Sequence, residues 1–374
     1  MKKLHIVSFN VPYPPDYGGV IDVYYKIKAL HERGIQISLH CFQYGREVAD
    51  ELNKVCKNVF YYPRKHSLRN FSSFTPYIVK SRKSDELLNN LLKDEAPILF
   101  EGLHTCYYLS EEELANRVRA VRLHNVEWDY YRNLGRSERS MLRKFYFFTE
   151  SLKLKYYEKI LKSSSMIFPI APGELDYLEK NFANIHLLPA FHPNEKISCT
   201  TGRGEYALYH GNLSVNENNQ AALFLVSKVF NDPGVRLIIA GSNPSPSLMK
   251  MIEGKNHISI RANLTEEEMM KLIREAQVNV LPTFQQTGVK LKLLNALYNG
   301  RHVLVNKQMV EDTGLDKLCA VTDSAQEMKE KLVLLMTEDF TQPMIREREA
   351  QLDLQFSNRR NAELLEQWLF DSPQ

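Results

Sequence analysis

The apolar residues of this 374-residue chain fall into short runs separated by longer amphipathic segments. The runs at 4–9, 35–42, 98–100, 120–123 and 166–169 have strand length, and segments such as 20–33 and 85–93 repeat at helical spacing between them. Continuous apolar strands joined by helices are the pattern of a parallel sheet buried on both faces. Near 188–205 the periodicity lapses into LPAFHPNEKISCTTGRGE, rich in Pro, Gly, Ser and Thr, which reads as a linker. The alternation then restarts, with strands at 206–210, 235–240, 258–260, 278–282 and 302–306. Helices are expected at 218–230, 265–276, 289–298, 325–336 and 358–370. Thr265 with Glu268 makes a capping box, and Asn299-Gly300 ends the helix at 289–298. The fold class is therefore α/β, two Rossmann-like doubly wound domains in tandem.

Composition narrows the class. A chain of this length suits two domains. Its five cysteines, Cys41, Cys56, Cys106, Cys199 and Cys319, are scattered without CxxC spacing, so we expect reduced thiols and no structural metal. The basic, then apolar start MKKLHIVSFN is too short for a secretory h-region and is followed by prolines and Asp16, which favours a buried first strand and a cytoplasmic protein. Residues 1–190 carry a net charge of +6 and residues 191–374 a net of −3, so the first half is the one expected to meet an anionic acceptor or lipid.

In open α/β sheets, ligands bind beyond the carboxyl ends of the strands. After the first strand comes PYPPDYGGV, where Gly18 and Gly19 allow close backbone approach as a helix begins. His124 follows the strand at 120–123, and His104 follows 98–100 as a secondary candidate; each is also compatible with a satisfied structural histidine. In the second half, Gly211 and Asn212 follow the first strand. The sharpest feature is Thr287-Gly288-Val289-Lys290-Leu291-Lys292, which joins a glycine, a helix start and lysines where a diphosphate would be stabilised. A solvated lysine at a helix start is the plain alternative. No GxxxxGK[ST] or GxGxxG is present.

The ordered set PYPPDYGG, VRLHNVEWDYY, YHGNLSVNENN, IIAGSNP and VNVLPTFQQTGVKLKLLNALYNGRHVLVN resembles the family-4 (group 1) retaining glycosyltransferases of GT-B fold, over nearly the whole chain. The resemblance implies two domains facing a central cleft: an acceptor-side domain at 1–187, a linker at 188–205, a donor-binding domain at 206–355, and a last helix at 356–374 crossing back to the first domain. It implies a nucleotide-diphosphate sugar as donor substrate, a glycan or lipid-linked acceptor, hexose transfer with retention, and no cofactor or metal. By position, Gly18 and Gly19 approach the donor, His124 contacts the transferred sugar, Arg261 and Leu264 lie near the base, and Gly288 to Lys290 meet the diphosphate. The family often carries two acids eight positions apart; here those positions are Thr287 and Asn295, and Asn295 is expected to bind the ribose. Asn212 and Asn218 stand where the family often has Arg and Lys. We therefore expect Lys290, with Lys292 second, to supply the missing positive charge.

Two basic blocks remain. Residues 61–83 contain six Lys/Arg, five aromatics and no acid, and are expected to form an acceptor-side loop. Residues 139–162 contain seven Lys/Arg and two Glu, and read as a helix packing an apolar side on the core with a solvated basic face. Such blocks suit peripheral contact with the anionic inner leaflet; no nucleic-acid motif accompanies them. A catalytically inactive GT-B assembly subunit and a nucleotide-sugar epimerase are the alternatives, the latter disfavoured by the scarcity of carboxylates in these loops.

Overall fold

The computed structural model describes residues 1–67, 74–138, 140–284 and 290–371. It divides into two units, residues 1–193 with 356–374, and residues 194–355.

The first unit is a six-stranded, all-parallel sheet in the order β3-β2-β1-β4-β5-β6. Its strands are β1 Lys3–Ser8, β2 Gln36–Gln43, β3 Asn58–Pro63, β4 Ile98–Glu101, β5 Arg119–Leu123 and β6 Met166–Pro169. The second unit repeats the plan as β12-β11-β10-β7-β8-β9. Here the strands are β7 Ala207–His210, β8 Leu237–Ala240, β9 Ile258–Arg261, β10 Val278–Val280, β11 His302–Asn306 and β12 Ala320–Thr322. Renumbered within each unit, both sheets read 3-2-1-4-5-6, so each reverses its winding between its first and fourth strands. Those switch points lie between β1 and β4 and between β7 and β10.

Strand burial explains the apolar runs: every residue of β4, β6, β7, β8 and β10 is buried. Leu4, Ile6, Val23, Ile27, Leu30 and Leu39 centre the core of the first unit, and the returning helix Asn358–Phe370 adds Ala362, Leu365 and Leu369 to it. Trp368 stacks on Phe168 and His186 at 5.4 and 4.8 Å. All five cysteines are free thiols. Among the described residues no helix is long and apolar enough to cross a membrane.

Several expectations are corrected. The stretch from Tyr61 is not wholly a loop: Tyr61 to Pro63 complete strand β3, paired with Cys41 to Gln43 of β2. Strand β12 and the helix Gln342–Phe356 lie where no element was expected. The helix expected at 218–230 begins at Asn216 and loosens at Leu225 into a π-type turn. The helix expected from Val289 begins at Leu291, with Lys290 at its N-cap position. The capping box of Thr265 and Glu268 forms as expected.

Candidate functional site

In the first unit the carboxyl ends of β1, β4 and β5 gather a compact group around Phe9. Its ring lies 5.9 Å from that of His104 and 5.4 Å from that of His124. The helix Gly18–Glu32 begins beside it, and a Cβ on Gly19 would sit 2.7 Å from Phe9 Cζ, so that position accepts only glycine without a shift. Gly18 has open space where a Cβ would be. Gly19, His104 and His124 are thus brought together, and among the described residues no side chain caps the helix start.

Beneath this group lies a charged network that the sequence reading missed. Asp22 and Lys26 stand one turn apart on the buried face of the helix Gly18–Glu32, both fully buried. The Asp22 carboxylate accepts from Lys26 Nζ at 2.9 Å, from Arg122 Nε and Nη2 at 3.1 and 2.8 Å, and from Phe191 N at 2.9 Å. Burial alone would raise its pKa, but the charges of Arg122 and Lys26 prevail and hold it far below the usual carboxylate range. Lys26 also reaches Glu101 Oε1 at 2.8 Å, and Glu101 Oε2 lies 3.1 Å from His124 Nε2. The network therefore fixes one nitrogen of His124, while its buried Nδ1 has no hydrogen-bond partner among the described residues. Asp22, Glu101 and His124 each bring one ligand atom within 4.8 Å of the others. That triad does not fit a metal ion, because the Lys26 ammonium already bridges the two carboxylates.

His104 meets Glu127 at 3.6 Å, Nε2 to Oε2. Burial, reinforced by Glu174, pushes Glu127 up to about 8, and burial holds His104 well below its usual value. At neutral pH the pair is therefore mostly uncharged. The signal in the sequence for the larger network was a charged pair, Asp22 and Lys26, at i and i+4 on the apolar side of a helix.

In the second unit the candidates flank the switch point between β7 and β10. Gly211 follows β7, and a Cβ there would meet the Asn218 side chain at 3.2 Å. A Cβ on Gly241, after β8, would lie 1.9 Å from Gly211 O, so two backbones meet at that point. Asn212 organises the loop: its Oδ1 accepts from Ser214 N at 3.0 Å and from the hydroxyls of Ser214 and Ser242 at 2.6 and 3.1 Å. Across the switch point, Lys292 on the helix Leu291–Asn299 donates from Nζ to Asn218 Oδ1 at 2.9 Å. Its ammonium also lies 5.5 Å from the Tyr209 ring centre. Burial, with the charge of Lys290 adding to it, lowers Lys292 to about 8. Lys290 is lowered as well by burial, partly offset by Glu311. His210, at the end of β7, is lowered to about 3 by burial and Lys292, and its buried Nε2 has no hydrogen-bond partner among the described residues. The Lys292 ammonium thus faces a neutral imidazole, His210, at this sheet edge.

Other candidates are placed differently. Arg261 is the exposed last residue of β9. Leu264 packs on the core of the second unit. Asn295 Oδ1 accepts from Asn194 Nδ2 at 2.8 Å, so its carboxamide oxygen is already engaged. Thr287, Gly288 and Val289 lie outside the described residues.

Two parallel sheets of this winding, each with its candidates at the carboxyl edge, define a GT-B fold. Residues 204–338, within the second unit, match the family described as Glycosyl transferases group 1. The chain is 29% identical over 334 residues to a Klebsiella pneumoniae protein described as "Uncharacterized 44.6 kDa protein in cps region", covering 84% of this chain and 85% of that one. It is similar in structure to the sucrose-phosphate synthase of Thermosynechococcus elongatus, with a TM-score of 0.69, 14% identity and 98% of each chain covered. Anabaena Alr3699/HepE, in complex with UDP and glucose, matches with a TM-score of 0.67 at 11% identity over 100% of each chain. WaaG, a glycosyltransferase involved in lipopolysaccharide biosynthesis, matches with a TM-score of 0.63 at 10% identity, over 99% of this chain and 100% of that one. At these identities the likeness to solved structures is one of fold.

Proposed function

We propose that the protein is a glycosyltransferase that moves a hexose, with retention, from a nucleotide-diphosphate sugar to a glycan or lipid-linked acceptor in surface polysaccharide synthesis. The observation that carries this reading is the Lys292 ammonium, held 2.9 Å from the Asn218 carboxamide and 5.5 Å from the Tyr209 ring centre at the switch point of the second unit, with Lys290 at the start of the same helix. An ammonium drawn out of water and held by a neutral carboxamide is stabilised when an anion joins it. A pyrophosphate leaving group is such an anion, and stabilising its developing charge is the main work of this kind of transfer.

The charge that Arg and Lys often supply after the first strand of this unit has moved to the facing loop. Asn218 stands in the lysine's place, and the Lys292 ammonium reaches across to its carboxamide. Lys290 and Lys292 neutralise the leaving diphosphate without a metal, aided by the amino end of the helix Leu291–Asn299, whose first turn holds no acid. In the first unit, Gly19 and His124 receive the sugar and the acceptor hydroxyl, with Glu101 orienting the imidazole. The Klebsiella relative in a cps region and the lipopolysaccharide role of WaaG support a polysaccharide acceptor.

The test has two stages. A thermal-shift panel of nucleoside diphosphates and nucleotide sugars identifies the donor, since a ligand that binds the folded state raises its melting temperature. Transfer from that donor is then compared between the wild type and Lys290→Ala, which is expected to lose most turnover; near-normal turnover refutes the reading.

A further inference from the structure

The helix Met141–Tyr157 does not carry the merely solvated basic face expected of it. Met141, Leu142, Phe145, Leu152 and Tyr156 are 77, 85, 71, 72 and 70% exposed. Four of them, Met141, Phe145, Leu152 and Tyr156, follow spacings of four, seven and four, which places them in one stripe along the helix. The opposite face is accounted for: Glu150, Ser151 and Leu154 are buried, and Gly135 of the helix Glu127–Ser137 would place a Cβ 3.3 Å from Phe147.

The charges sort in the same way. Both acids of 139–162 turn inward. Glu150 is buried and accepts from Tyr77 N at 2.6 Å and Lys153 Nζ at 2.8 Å. Glu158 is buried and accepts from the Tyr177 hydroxyl. Arg143, Lys155, Lys159 and Lys162 remain exposed. An apolar stripe bordered by cations, with its acids withdrawn, is the make-up of a helix that lies in a bilayer interface.

We infer that the helix Met141–Tyr157 seats the protein on an anionic lipid surface, its stripe in the headgroup region and its lysines on lipid phosphates. A second copy of the chain fits less well, because pairing these stripes would bring like charges together. The helix Glu127–Ser137, against which it packs, starts just after His124 at the end of β5, so docking would bring a lipid-linked acceptor to that strand edge. The inference rests on the proposed transfer only for what the membrane carries. Vesicle binding is read without donor or turnover, so either proposal can fail alone.

The test is co-sedimentation of the full chain with phosphatidylcholine vesicles, with and without an equal share of phosphatidylglycerol, at low and high salt. At low salt the wild type should partition at least ~10-fold better onto the anionic vesicles, because each cation near such a surface favours binding several-fold. High salt should erase most of that gain. Phe145→Ser with Leu152→Ser, and separately Lys159→Glu with Lys162→Glu, should each lower partitioning ~10-fold or more while melting temperature and nucleoside diphosphate affinity stay unchanged. Failure of the wild type to prefer anionic vesicles overturns the inference, as does binding that survives both variants. A concentration-dependent dimer abolished by the serine variant also overturns it, by assigning the stripe to a second copy.

Discussion

Replacing Lys292 by Met separates what a diphosphate gains from this side chain from what the empty protein gives up to keep it. The methionine retains an apolar stem beside Tyr209 and removes the ammonium that reaches Asn218 at 2.9 Å. A charge-assisted contact to phosphate is worth roughly 1.5–3 kcal/mol, so the dissociation constant for a nucleoside diphosphate should rise by roughly 10- to 150-fold. The free protein should respond in the opposite direction. Its Lys292 is lowered from 10.5 to about 8, so the unfolded chain binds the proton more readily between those values. Wild-type stability therefore rises with pH through that window. The Met variant lacks this rise, and near neutral pH it should melt no lower than the wild type. Isothermal titration calorimetry and thermal unfolding, each read from pH 6 to 10, measure both effects at about constant ionic strength. An affinity within about twofold of the wild type, or a clear drop in melting temperature, refutes the reasoning, since the first denies the contact and the second makes Lys292 a structural residue.

Other expectations follow from the same geometry. If the positive charge has changed loops, Asn218→Lys alone should weaken nucleotide binding by crowding two ammonium groups, Lys292→Asn alone should weaken it by removing one, and the double exchange should recover most of the loss in a double-mutant cycle. Nucleoside diphosphate affinity in the wild type should fall as pH rises above about 8, where the free protein loses the Lys292 proton, and the calorimetric heats should report proton uptake there in buffers of different ionisation enthalpy. Arg122→Met leaves the buried Asp22 carboxylate with Lys26 as its remaining charged partner, and should cost about 3–5 kcal/mol in urea unfolding. Gly241→Ala would put a Cβ 1.9 Å from Gly211 O, so it should force the β7 loop open, lowering nucleotide affinity more than it lowers the melting temperature.

The alternation of strands and helices was legible because parallel strands buried on both faces are apolar nearly throughout, as β6 and β8 are and as β4 and β7 are up to their last residues, Glu101 and His210. Elements that broke this rule were missed. Strand β3, NVFYYP, is an edge strand with mostly half-buried side chains, and its aromatic end merges into a basic run. In the helix Gln342–Phe356 the inward positions are Ile345, Arg348 and Leu352, and Arg348 is satisfied by the carbonyls of Leu297 and Gly300 rather than by apolar contact. Gly19, His104 and His124 were found because each follows a strand. Phe9, which joins them, looked like the end of an apolar run, and Glu101 was not singled out. The contact of Lys292 with Asn218 joins residues 74 positions apart, and local sequence holds no trace of it beyond an asparagine where the family resemblance leads one to expect a lysine.

The claim on which the account turns is that both lysines meet the phosphates of the donor. A crystal structure with a nucleoside diphosphate bound decides it. The account predicts phosphate oxygens about 2.7–3.2 Å from Lys292 Nζ, with Lys290 Nζ on the same anion. A nucleotide bound with its phosphates elsewhere, or with both ammonium groups turned away from them, contradicts it.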